Sequence, residues 1–211
     1  MIAVAGLASA DVIVSYSYTD LDGTYDASSG TFSAEATDNG TLATGGDVSL
    51  LIGAKGTAEF DTGFFGLGGL ADVDITMSIS NVTGSSADGV GMVTLTDTDG
   101  DILSASFTGI WNIINPIGFM FFSGTADDYE FTDNGQADGV FNGTTGSFDM
   151  SSLVGNLFDG AISLLLRNPG GFGDDFAKVS TQGDGILIPT PGAVLIASVG
   201  ALGMIAPRRR R

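Results

Sequence analysis

VDITMSIS, residues 73–80, is the stretch whose pattern decides the fold of this chain. Val73, Ile75, Met77 and Ile79 alternate with Asp72, Asp74, Thr76, Ser78 and Ser80, an apolar–polar period of two. Successive side chains of an extended strand point to opposite faces, so this stretch predicts a half-buried β-strand. The same alternation recurs on both sides of it. Val12, Val14, Tyr16 and Tyr18 share one face, and Phe32, Ala34 and Ala36 oppose Thr31, Ser33, Glu35 and Thr37. Leu103, Ala105 and Phe107 oppose Ser104, Ser106 and Thr108. Two further runs, IGFMFF at 117–122 and AISLLL at 161–166, are apolar at nearly every position. They predict central strands covered on both sides; periodicity alone leaves a short helix at 161–166 open as well.

Asp-Gly pairs at 22–23, 88–89, 99–100, 138–139, 159–160 and 184–185, and Asn-Gly pairs at 39–40, 134–135 and 142–143, separate these runs. Both pairs supply the positive φ that tight hairpins require and are read as turns. Short strands, 33 glycines and no amphipathic helix in the body predict an all-β fold. The expected form is a single antiparallel β-sandwich or jelly-roll-like domain spanning residues 11–187. GFFGLGGL at 63–70 reads as a loop with apolar anchors.

Charge and composition exclude several functions. The chain has 211 residues, which suits one domain plus targeting segments. All 25 acidic residues lie between Asp11 and Asp184, against only Lys55, Arg167 and Lys178, so that body carries a net charge of −22. Nucleic acid is excluded as a partner, because phosphate contacts need cations. Cysteine and histidine are absent, which removes disulfides, the usual zinc sites, cysteine nucleophiles and His-based triads.

The two ends read as addresses. MIAVAGLASA, residues 1–10, has the apolar run and the Ala8-Ser9-Ala10 ending of a secretory signal peptide, without a basic n-region. Residues 188–211, IPTPGAVLIASVGALGMIAPRRRR, combine a Pro189-Thr190-Pro191 turn, an apolar run from Gly192 to Ala206, and Arg208, Arg209, Arg210 and Arg211. A helix from Pro191 to Pro207 would be roughly 25 Å long, slightly short of a hydrocarbon core of roughly 30 Å. The arginines would hold its end on the cytoplasmic side, making it a transmembrane helix of marginal strength.

This order of parts resembles the PEP-CTERM sorting signal of bacterial surface proteins: a Pro-Glu-Pro motif, a short transmembrane helix and an arginine cluster. Thr190 stands where the motif has Glu, so Pro189, Thr190, Pro191 and Gly192 look like its Pro-x-Pro-Gly-Ala variant. The resemblance covers about 24 of the 211 residues. It implies recognition by an exosortase-type processing enzyme, transient anchoring in the membrane, and a place at the cell surface or in the extracellular matrix. SYTDLDGTYDASSGTFSA, TLTDTDGD and DGVFNGTTGSFDM in the body loosely resemble tagged envelope proteins, a similarity that carries no known activity.

The body holds few candidate sites. Asp97, Asp99 and Asp101, in TDTDGDIL, place three carboxylates at alternate positions, as a calcium loop begins. An EF-hand needs Gly at its sixth position and Glu at its twelfth. Ile102 and Thr108 stand there, so the stretch reads as a tight turn between strands 91–97 and 101–108. Trp111, Phe119, Phe121, Phe122 and Tyr129 could stack on sugars, but their apolar setting places them in the core. With 22 Asp and only Glu35, Glu59 and Glu130, no carboxylate pair stands out for glycoside hydrolysis. Lys55 and Lys178 lack a Ser-x-x-Lys context, and the glycines at 63–69 lack the Lys-Ser/Thr of a phosphate loop. Asn39, Asn81 and Asn142 head glycosylation sequons, relevant only in a pathway that uses them. No residue is assigned a catalytic, cofactor-binding or metal-binding role. The expected function is that of an exported, non-enzymatic surface or matrix protein. The alternative is a carbohydrate-binding or calcium-dependent adhesion module with extracellular polysaccharide as partner, and a glycan-active enzyme ranks third.

Overall fold

The computed structural model describes residues 12–37, 45–50, 56–61, 73–114, 117–132, 139–151, 153–168 and 170–189. The all-β expectation holds: these residues form twelve strands and no helix. They are β1 (Val14–Asp26), β2 (Thr31–Glu35), β3 (Gly45–Leu50), β4 (Gly56–Phe60), β5 (Val73–Ser80) and β6 (Ser86–Thr96). There follow β7 (Ile102–Ile114), β8 (Phe119–Thr132), β9 (Val140–Asn142), β10 (Ser147–Asp149), β11 (Leu157–Arg167) and β12 (Phe176–Ile188). Residues 161–166 are strand. The signal segment, the glycine-rich stretch 63–70 and the sorting segment beyond Pro189 lie outside the described residues, as do Lys55 and Asn39.

The expected pair of packed sheets is replaced by one sheet closed on itself. Strands run in the order β1-β2-β5-β6-β7-β8-β11-β12, and β12 pairs back onto β1, giving an eight-stranded barrel. Every pairing is antiparallel. Closure leaves no free edge on these eight strands, the usual solution to the hazard of unpaired strand edges. Two hairpins, β3–β4 and β9–β10, are inserted after β2 and β8. β3 pairs with the first half of β1, from Val14 to Thr19, and β2 with the second half, from Asp22 to Asp26.

Alternation decides inside from outside. β5 is buried at Val73, Ile75, Met77 and Ile79 and exposed at Asp74, Thr76, Ser78 and Ser80. The interior is filled by rings: Trp111 lies 5.6 Å from Phe32, 5.3 Å from Phe122 and 5.3 Å from Phe172 between centroids. Tyr16 and Tyr129 join hydroxyls at 2.7 Å deeper along the barrel, with Tyr18 stacked on Tyr16. The interior is apolar; the outer faces of β1 and β5 carry Ser, Thr and Asp, whereas β6, β7 and β8 expose Val90, Met92, Ile110, Phe119 and Phe121.

Four of the six Asp-Gly pairs are not turns. Asp22-Gly23, Asp88-Gly89, Asp159-Gly160 and Asp184-Gly185 sit inside β1, β6, β11 and β12. In each the glycine faces inward, and a Cβ there would collide with neighbouring groups: Thr181 and the Val179 carbonyl at Gly23, Met77 and Phe122 at Gly89, Tyr129 at Gly160, Tyr16 at Gly185. Gly89, Gly160 and Gly185 are seats for rings, Gly23 makes room for Thr181, and together they let a small barrel curve around its contents.

The run 117–122 also departs from expectation. Met120 and Phe122 are buried, but Phe119 and Phe121 point outward and are 36 % and 44 % exposed, with no second layer over them among the described residues. Leu165 of the 161–166 run is likewise only half-buried on the outside.

Bulges adjust the register. β1 carries an extra residue between Tyr18 and Leu21, where Asp20 has φ 58°, and β12 carries one opposite Gly23–Tyr25, where Lys178 has φ 57°. A third bulge in β8 lets Asp128 accept a 2.7 Å hydrogen bond from the Ser106 N–H.

Candidate functional site

The hairpin turn between β6 and β7 gathers the three aspartates singled out in the sequence. One carboxylate oxygen from each of Asp97, Asp99 and Asp101 lies within 4.8 Å of the others. Local sequence builds this turn. Gly100 adopts φ 100°, and the Asp97 side chain folds back over the loop it begins, as Asp does in turns. Its Oδ1 accepts the N–H groups of Asp99, Gly100 and Asp101 at 3.1, 2.8 and 2.8 Å.

Tertiary structure then buries it. Asp97 and Asp101 are fully buried because the two inserted hairpins close over this end of the barrel. Glu59 of β4 and Thr145 exchange backbone hydrogen bonds of 2.8 and 3.1 Å, joining the insertions. Phe60, Phe141 and Phe148 pack between them. β9 reaches the turn directly: Asn142 N–H donates to Asp97 Oδ2 at 2.8 Å, and Thr98 N–H donates to the Asn142 carbonyl at 3.0 Å. Asn142 also points its Nδ2 at Asp99 Oδ2, at 3.5 Å. The sequence marked Asn142 only as a turn and sequon residue; nothing local reports its partnership with a turn 45 residues away.

Burial and then the neighbouring Asp99 push the Asp97 carboxyl up to about 7, against the N–H donors that favour its charged form. A raised carboxyl binds its proton more tightly folded than unfolded. Stability from this group is therefore full below about pH 4 and is lost as pH rises toward about 7. Melting temperature should fall more steeply between pH 5 and pH 8 in the native protein than in Asp97→Asn, which cannot titrate. Equal slopes would show that Asp97 does not titrate in this window.

Both oxygens of Asp97 are occupied by N–H donors, which turns it from a ligand into a staple. The three carboxylates bring fewer oxygens than the six or more calcium takes, and the twelfth-position glutamate of a calcium loop is missing. Calcium chloride and sodium chloride at matched ionic strength should therefore give melting temperatures within about one degree. A calcium-specific rise of several degrees that disappears in Asp99→Asn would overturn the staple reading.

The remaining candidates fall apart spatially. Trp111, Phe122 and Tyr129 are core residues, as expected, whereas Phe119 and Phe121 stand on the outer face, with Arg167 5.9 Å above the Phe119 ring. Glu35 faces Asp74 and Glu59 faces Asp47 across strands. Both glutamates are exposed on the outer surface, as is Glu130, and none stands with a second carboxylate in a deep cleft. Asn81 sits exposed in the β5–β6 turn, its amide donating to Asp88 at 2.6 Å.

Fold and site together define a closed, ring-filled antiparallel barrel, polar over much of its outside and capped at one end by two hairpins around an aspartate-stapled turn. Comparison with family models, with curated proteins and with solved structures finds no match.

Proposed function

We propose that this chain is an exported, non-enzymatic protein of the cell surface or extracellular matrix, sorted by its C-terminal segment through an exosortase-type enzyme. The observation that carries the reading is the tripartite segment 188–211 with its Pro189-Thr190-Pro191-Gly192 motif and four terminal arginines. The barrel supports it in two ways. Its closed ladder and ring-packed interior suit a body that folds as a unit of its own outside the bilayer. Its stability comes from packed rings and a closed ladder, with no cysteine in the chain, so it needs no oxidative folding machinery.

β12 ends at Ile188, paired with Asp159, so the motif begins directly after the last rung of the barrel. A processing enzyme acting there would meet the segment next to a folded body that stops further threading.

Replacing Arg208, Arg209, Arg210 and Arg211 with serine should abolish processing or retention in the membrane, because the cationic stop is gone. Mass spectrometry of the mature protein from its own cells reads the outcome. A mature native chain that keeps an intact Arg211 would overturn the sorting reading in favour of a permanent anchor.

A further inference from the structure

The outer face of the barrel carries a groove of about 370 Å³ that crosses β1, β12, β11 and β8. Strand register arranges its lining in two rows. One row is polar: Ser17 is paired with Asp184, and Asp184 with Ser163. The Ser163 hydroxyl donates to Asp184 Oδ1 at 2.8 Å, and the Ser17 hydroxyl donates to Asp47 on the adjoining β3. The next row along the strands holds Gln182, Leu165 and Phe121, which are paired in turn. Alternate residues of a strand are about 6.8 Å apart and neighbouring strands about 4.8 Å, so the groove is roughly 14 Å long.

We propose that this groove binds an uncharged glycan, about three hexopyranose units at a time. A sugar ring has an apolar C–H face and a rim of hydroxyls. Phe121, 44 % exposed and flanked by Leu165, offers the flat apolar surface. The parallel row of serine hydroxyl oxygens and the Asp184 carboxylate offers acceptors, and the Gln182 amide offers a donor, to the ring's hydroxyl rim. Among the described residues Asp184 is the only charged one lining the groove, and the surrounding body is strongly acidic, so anionic polymers are repelled. An added peptide strand is disfavoured, because the groove lies on a sheet face whose backbone groups are already paired in the ladders. The inference does not depend on how the protein is exported.

The test uses the full chain, purified in detergent, with laminarin, dextran and cellohexaose as uncharged probes and alginate as the anionic one. Affinity electrophoresis and calorimetry should show binding of at least one uncharged probe with a Kd of about 0.1–1 mM, and none of alginate. Phe121→Ala should weaken it about tenfold and Asp184→Asn several-fold, with circular dichroism unchanged. Val90→Ala, on the outer face of β6, should leave binding as it is. No binding of any uncharged probe at about 10 mM would overturn the proposal. So would equal binding of alginate, or affinity untouched by Phe121→Ala.

Discussion

Gly109→Ala should lower the melting temperature by about 6–12 °C, although it adds one methyl group to a strand. Gly109 of β7 faces Gly124 of β8 in the ladder. A Cβ at Gly109 would stand 2.7 Å from Phe122 Cζ and closer still to the backbone of Ser123 and Gly124. A flexible side chain could yield, but backbone held in a closed ladder cannot move without losing hydrogen bonds on both sides. Overpacking costs about 1–3 kcal/mol, and collision with backbone as well as ring places this case at about 3. For a domain of this size each kcal/mol is worth about 2–4 °C. Gly84, in the turn after β5, has nothing within 4 Å of its Cβ position and provides the control. Gly84→Ala should stay within about 0.5 kcal/mol of the native protein. If both substitutions are equally mild, the glycines are not seats for rings and the account of barrel curvature is wrong.

Trp111→Ala should cost about 3–5 kcal/mol, the range for removing a buried aromatic side chain. Trp111 is fully buried, and its indole N–H points at Met77 Sδ, at 3.1 Å. Phe32, Phe122 and Phe172 surround it, so truncation strips three ring contacts at once and leaves a cavity at the centre of the barrel. A single domain has about 5–15 kcal/mol in total, so the variant should stand close to its unfolding threshold at 37 °C. Trp111→Phe keeps most of the volume and should retain more than half of the lost stability. The chain has one tryptophan, so native fluorescence reports this site alone, and circular dichroism serves for the variants. A Trp111→Ala protein that melts within two or three degrees of native would place the indole outside the core.

The glycine prediction turns on a feature the sequence displayed without explaining. Asp-Gly is a turn signal because glycine tolerates positive φ, and at Asp99-Gly100 that reading holds. At Gly23, Gly89, Gly160 and Gly185 glycine is present for a different property, the absence of a Cβ. The two uses leave the same pair of letters. They separate only when a ring from another strand is known to lie over the position, as Tyr129 lies over Gly160 from the neighbouring β8.

The candidate site shows the same division. Three alternating aspartates around Gly100 were legible as a turn with cation-like spacing. Their burial, the staple from Asp97 to Asn142 and the raised Asp97 carboxyl were not, because each depends on a hairpin inserted after β8. Phe119 and Phe121 were misplaced for a related reason. A run with apolar residues on both faces normally means cover on both sides, and here none of the described residues covers the outer side.

What the sequence determined by itself was the all-β class, the inward face of β1 as far as Tyr18 and of β2, β5 and the first half of β7, and the hairpin turn at residues 97–101. Period-two alternation is a local property of extended backbone, so a single strand announces it. The tertiary structure alone decided that β12 returns to pair with β1, that eight strands close into a barrel, and that two hairpins cap one end. A barrel and a sandwich make the same demand on each strand: one face apolar, one polar. They differ in curvature and in which edges meet, and those are set by the bulges at Asp20 and Lys178, the glycine seats and the rings that fill the interior acting together.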